Sequence, residues 1–140
     1  MQHRRRDMID ENKLSALVLE HTVFDCIEFH REGFQNDNDV QFNMQITTGC
    51  NENSDVYQVT LLLEGVKEEE YTLKIGLSGF FSINEGRLPE NISKDMLIKN
   101  NAVAILMPYL RAEVSLLTSQ PEMDCVIMPV FNVNALMEED

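Results

Sequence analysis

The residues able to do chemistry are few in this chain of 140 residues, and they are poorly arranged for it. His21, Cys26 and His30 lie close in sequence. On an extended strand the alternation of side chains turns His21 away from the other two, and their spacing matches no common metal site. Asp37 and Asp39 resemble the opening of a calcium loop whose glycine and distal glutamate are missing. Cys26, Cys50 and Cys125 are odd in number and widely separated, which fits reduced thiols better than a disulfide framework or a zinc site. There is no Gly-rich phosphate loop, no Cys-x-x-Cys, no His-Glu-x-x-His and no Gly-x-Ser-x-Gly. Glu68-Glu69-Glu70 reads as a solvated turn. The sequence predicts no enzyme, no bound metal and no cofactor.

Charge points the same way. Asp and Glu outnumber Lys and Arg by 24 to 11, a formal net charge of -13. A field of that sign repels phosphate backbones, so nucleic acid is a poor partner. It suits basic partners, or keeps an adhesive surface soluble. An apolar fraction of 44% is that of a globular chain, and the length predicts a single domain over 1–140, with 1–13 flexible. No apolar run is long enough to cross a bilayer, and no apolar segment follows the basic start Met-Gln-His-Arg-Arg-Arg. The expectation is a cytoplasmic protein without membrane insertion. Eight methionines supply flexible, polarizable area of the kind that accepts many different side chains.

The elements that would position these residues follow from periodicity. Ala16 to His30 is rich in Val, Ile and Phe and reads as a long strand, followed by a loop from Arg31 to Asp39 in which Phe34 is stranded among polar residues. Val40, Phe42, Met44 and Ile46 alternate with polar residues in a half-buried strand. Val56 to Glu64 follows, with Tyr57, Val59, Leu61 and Leu63 on one face. Beyond the acidic turn, Tyr71, Leu73, Ile75, Leu77, Phe81 and Ile83 share one parity. Short turns between these strands predict an antiparallel meander, with the first strand pairing alongside.

Ser93 is placed to cap a short helix leading into the strongly apolar segment Asn101 to Thr118. There Val103, Leu106, Met107, Leu110, Val114 and Leu117 lie on one helical face, and Ala102, Ile105, Tyr109, Ala112 and Leu116 form a second. A helix apolar on two faces needs two covering layers. The sheet supplies one, so the other is expected to be a second chain. Pro108 predicts a kink, and Asn132 to Met137 a final short helix. The fold class is α+β, a four-stranded antiparallel sheet with a long C-terminal helix on one face.

Three segments resemble the SecB family of protein-export chaperones: Phe81-Ser82-Ile83, then Leu106-Met107-Pro108-Tyr109-Leu110-Arg111, then Met128-Pro129-Val130-Phe131-Asn132-Val133-Asn134-Ala135-Leu136. The resemblance implies a dimer of dimers assembled through the helices, with Val103, Leu106, Leu110, Val114 and Leu117 as the interface. It also implies an ATP-independent holdase that keeps unfolded polypeptide soluble in apolar grooves, in the service of protein export. The groove candidates are Phe34, Phe42, Met44, Tyr57, Leu61, Leu73, Ile75, Leu77 and Phe81, each of which would also serve as ordinary core beneath the helix. Family members that deliver clients to the SecA motor carry acidic residues on the outer sheet face. Here Lys74 stands where a glutamate is usual, Asp25 and Glu28 fall out of register with the usual acidic pair, and the chain stops soon after Leu136. These departures speak against SecA. The alternatives are a SecB-like chaperone dedicated to one client, such as an antitoxin, and an oligomeric adaptor that is no chaperone.

Overall fold

The computed structural model describes residues 16–50 and 55–131. Four strands, β1 (Leu17–Arg31), β2 (Val40–Cys50), β3 (Tyr57–Lys67) and β4 (Tyr71–Ile83), form one antiparallel sheet in the order β1-β4-β3-β2. β2, β3 and β4 are the expected meander. β1 lies beyond β4, so the connection 32–39 must pass the β3–β4 turn to reach β2, which gives the spatial order of a Greek key. β2 and β3 each run about one turn of pleat further than their apolar alternation indicates.

The sheet has one apolar and one polar face. Val59, Leu61, Leu63, Leu73, Ile75, Leu77 and Phe81 are buried on the helix side, as their shared parity requires. Register opposite them places Leu17, Leu19, Phe24 and Phe29 of β1 and Phe42, Met44 and Ile46 of β2 on that side too. The cover is a helical run of three segments. α1 (Lys94–Leu97) is capped by Ser93, whose Oγ accepts the Met96 N–H at 3.2 Å; a π turn (Ile98–Ala102) follows, and α2 (Val103–Leu117) completes it. Pro108 lies within α2, yet the departure from α geometry falls upstream, in the π turn.

Two glycines set how closely the layers approach. A Cβ on Gly79 of β4 would stand 2.6 Å from Leu106 Cδ2, so α2 seats against the sheet where β4 lacks a side chain. A Cβ on Gly33 would stand 2.1 Å from the Glu69 carbonyl oxygen, so the crossing connection lies directly on the β3–β4 turn. The return after α2 is fixed by Thr118, whose hydroxyl donates to Val114 O at 2.8 Å and accepts the Val126 N–H at 2.9 Å. Met128 then closes the core. The short helix expected over Asn132 to Met137 and the N-terminal segment 1–13 lie outside the described residues.

Candidate functional site

The crossing is organised by one buried carboxylate. Glu70 has no exposed area, and its Oε1 meets Lys67 Nζ at 2.9 Å and accepts the Asn36 N–H at 2.9 Å. The Glu70 carbonyl accepts from the N–H groups of Glu32 and Gly33, while Glu68 O accepts from the side-chain amides of Asn36 and Asn38. Burial works against ionisation of Glu70, but the Lys67 hydrogen bond and charge and the Asn36 N–H outweigh it, holding the carboxyl below its ordinary value. The adjacent Tyr71 is buried, and that burial, with the charges of Glu70 and Asp124, pushes its hydroxyl up to about 12. Glu68 and Glu69 are exposed as expected of a solvated turn, but Glu70 is not. Lys67 shares the parity of Leu61 and Leu63, which turns its side chain inward and brings the carboxylate after it.

The same lysine faces Asp124 of the C-terminal return at 3.9 Å. Gln35 Nε2 donates to Asp124 Oδ1 at 2.9 Å, and Arg31 donates to Glu122 O at 2.9 Å. Between connection and return lies an open cleft of about 520 Å³. Its apolar walls are Val40 and Phe42 from β2 and Val126, Ile127 and Pro129 from the return; Asp37, Asp39 and Asp124 supply acid around it. Ile127 is 80% exposed and Val130 beyond it 90%. Carboxylates beside open apolar area suit a ligand that carries both aliphatic or aromatic groups and positive charge. The sequence marked 36–39 as a loop and 126–129 as extended, and only the fold brings the two together.

Of the nine groove candidates, Met44, Leu61, Leu73, Ile75, Leu77 and Phe81 are core. Their parity and apolarity signalled burial, and the chain's own helix supplies it. Phe42 lines the cleft. Phe34 is 88% exposed on the connection, and Tyr57 is half-buried at the other end of β2, opposite Cys50. The helix shows the same outcome. Val103, Leu106, Leu110 and Val114 are fully buried within the single chain and Leu117 half-buried, so the sheet takes the face proposed as the interface. Ala104, Pro108, Tyr109, Ala112 and Leu116 form the bare face, with Leu116 68% exposed.

The outer sheet face is mostly polar, with Val18, Val23 and Val66 exposed among its polar residues. Its centre is a cluster in which Ser78 Oγ donates to Asp25 and lies 2.7 Å from Thr60 Oγ1. Glu28 of β1 and Glu64 of β3 stand directly across from Lys74 of β4. Register shifts at Leu19/His21 and Phe24/Cys26 correct one expectation. They pair His21, Cys26 and His30 with Phe80, Gly76 and Thr72, which share a parity, so all three face outward rather than being split. Successive members remain ~13 Å apart along the strand, and His21 stacks on Phe80 at 4.4 Å between ring centroids. Among the described residues no group of three His, Cys, Asp or Glu could hold a metal ion, and no helix is long and apolar enough to cross a membrane.

The fold is similar to that of a SecB-like chaperone of Mycobacterium tuberculosis, solved in complex with a ChAD peptide from the HigA1 antitoxin. The likeness has a TM-score of 0.67 and 9% identity, over 84% of this chain and 91% of that one. A protein of unknown function from Streptococcus agalactiae is more loosely similar, with a TM-score of 0.47, 14% identity, and coverage of 81% of this chain and 97% of that one. No family model matches the sequence, and no curated protein matches it. The four-stranded sheet with its C-terminal helix is thus a SecB-like fold.

The depressed Glu70 carboxyl fixes the sign of a pH effect. Its stabilisation is complete above the ordinary value of 4.5 and is lost as pH falls through the lower folded-state value. Glu70→Gln should lower the unfolding free energy by about 2 kcal/mol at neutral pH. Its stability should also fall less than the parent's as pH drops below 4.5. Urea denaturation of both proteins at pH 7 and at pH 4 measures this; parallel losses would remove Glu70 from the account.

Proposed function

We propose that this chain is an ATP-independent holdase that keeps unfolded polypeptide soluble by binding it in the cleft between the β1–β2 connection and the C-terminal return. The observation that carries this reading is the chemistry of that cleft. Val40, Phe42, Val126, Ile127 and Pro129 offer apolar area that the chain leaves open, beside Asp37, Asp39 and Asp124. Area of this kind contributes about 25 cal/mol per Å² without demanding a particular sequence. A chain with a net charge of -13 stays soluble while showing it. The likeness in fold to a chaperone solved with a bound peptide supports the reading. The work needs no catalytic group, cofactor or ATP, and the site of action is the cytoplasm.

The peptide in that neighbouring structure comes from an antitoxin, which favours a narrower second reading: a chaperone dedicated to one client. Export through SecA has less support, since Lys74 sits between Glu28 and Glu64 on the outer sheet face and Asp25 is engaged by Ser78. Client breadth separates the readings. An oligomeric adaptor would bind one folded partner and protect nothing unfolded.

Self-association belongs to the proposal, through the bare face of α2 rather than the face against the sheet. Tyr109→Lys combined with Leu116→Glu should leave the thermal midpoint within a few degrees, because both side chains are exposed. In sedimentation velocity the variant should run as a smaller particle than the parent; an unchanged particle would remove this face from the assembly.

The function itself is tested by diluting chemically unfolded, unrelated proteins into buffer with and without this chain, in the absence of nucleotide. Suppressed aggregation near stoichiometric amounts is expected. Ile127→Asp, a change at an exposed position, should require roughly tenfold more protein for the same effect. Protection of one client alone would establish the dedicated chaperone. No protection of any unfolded protein would leave the adaptor.

A further inference from the structure

We propose that the cleft also docks the N-terminal segment of a second copy of this chain, residues 3–9, which occupies it until a client displaces it. The proposal deepens the holdase reading and rests on it, because it names what regulates the same cleft. The net charge of -13 hides one exception. Arg4, Arg5 and Arg6 form a basic run with no acid before Asp7, and Met8 and Ile9 add apolar area just beyond; elsewhere Lys and Arg stand singly. The cleft is the chemical complement of that run. Asp37, Asp39 and Asp124 stand around apolar walls that include Phe42 and Ile127. Among the described residues no Lys or Arg pairs with Asp37 or Asp39. Lys67 matches Asp124 only loosely, since its Nζ lies 2.9 Å from Glu70 and 3.9 Å from Asp124, which is 65% exposed. Guanidinium groups suit such carboxylates because their planar fork bonds both oxygens.

Chain geometry decides which copy supplies the segment. β1 starts at Leu17, paired with Ile83, whereas the cleft lies at the opposite end of the sheet, beside the row Tyr71, Lys67 and Val40. The length of β4 from Tyr71 to Ile83 sets those ends about 40 Å apart at ~3.3 Å per residue. The cleft also lies three strand spacings across the sheet from β1, about 14 Å, so the straight line is about 42 Å. The chain from Arg5 to Leu17 spans at most about 43 Å when fully extended. A route over the molecular surface is longer than the straight line, so a chain's own arginines fall short and a second copy must supply them. Self-association through α2 would hold such copies at high effective concentration. Docking then covers the apolar walls when no client is present. It also competes with clients, lowering their apparent affinity by the fraction of clefts left open.

The test uses the full chain with a photoreactive phenylalanine at Ile127. Heavy-nitrogen and ordinary protein are unfolded together, refolded together and illuminated without client, and the cross-linked peptides are weighed. Cross-links from position 127 to residues 1–13 are expected, with heavy–light pairs among them, and their yield should fall as salt rises from about 0.05 to about 1 M. Combining Arg4→Gln, Arg5→Gln and Arg6→Gln should remove most of these cross-links. The same triple variant should bind a labelled protein, kept unfolded by reduction and alkylation, about threefold more tightly than the parent does. Same-isotope pairs alone would overturn the second copy, because the segment would then be reaching its own cleft. No cross-link to residues 1–13, or equal client affinity of parent and triple variant, would overturn the proposal and leave the holdase reading standing. Client binding by neither protein would overturn the holdase reading, while the cross-links would still decide the docking.

Discussion

Everything that gives this molecule an open site depends on holding one carboxylate, that of Glu70, ionised and out of water. Such a group is costly unless its charge is matched and its oxygens are bonded. Lys67 supplies the charge, and with the Asn36 N–H it satisfies Oε1, while Oε2 is buried without a hydrogen-bond partner among the described residues. In doing so they fix three segments that share no secondary structure: the β3–β4 turn, the connection passing over it, and, through Lys67 and Asp124, the return after α2. The turn bears its own strain, with Glu69 in the left-handed region at φ 66°. Gly33 lies so close to the Glu69 carbonyl that no other residue fits there without a shift. A Greek-key crossing is where a small sheet would otherwise be loosest. Here it is pinned, and the cleft is the space left between the pinned segments.

The two faces of the sheet divide the labour. The helix side is closed by α2, which approaches β4 at Gly79 and buries Leu106, Leu110 and Val114 on the chain's own core. The outer side is polar and hydrogen-bonded among its own side chains. Open apolar area includes the cleft with the return beyond it, Phe34 on the connection and the bare stripe of α2.

Much of the fold was legible because periodicity is a strong signal for strands and helices. The parity of Tyr71 to Ile83 and the first apolar face of Asn101 to Thr118 were realised, as was the Ser93 cap. The site was less legible, for definite reasons. Alternation identifies which residues are apolar-facing but not which of two layers covers them, so Leu61, Leu77 and Val103 to Val114 read equally well as groove, interface or core. Bulges change parity without leaving a mark in composition, which is why strict alternation sets His21 opposite to Cys26 and His30 although all three share a face. Glu70 was hidden because a buried acid and a solvated acid look alike until the partner's position is known. The pairing of Asn36 to Asp39 with Val126 to Pro129 spans most of the chain and has no local signature.

The central claim is that unfolded polypeptide lies in the cleft and not on the polar face of the sheet. The most direct measurement places a photoreactive phenylalanine at Ile127 in one protein and at Lys74 in another, then illuminates each with an unfolded client. Cross-linking from position 127 and little from position 74 is the result the account predicts. Equal yields, or a client captured only from position 74, would contradict it.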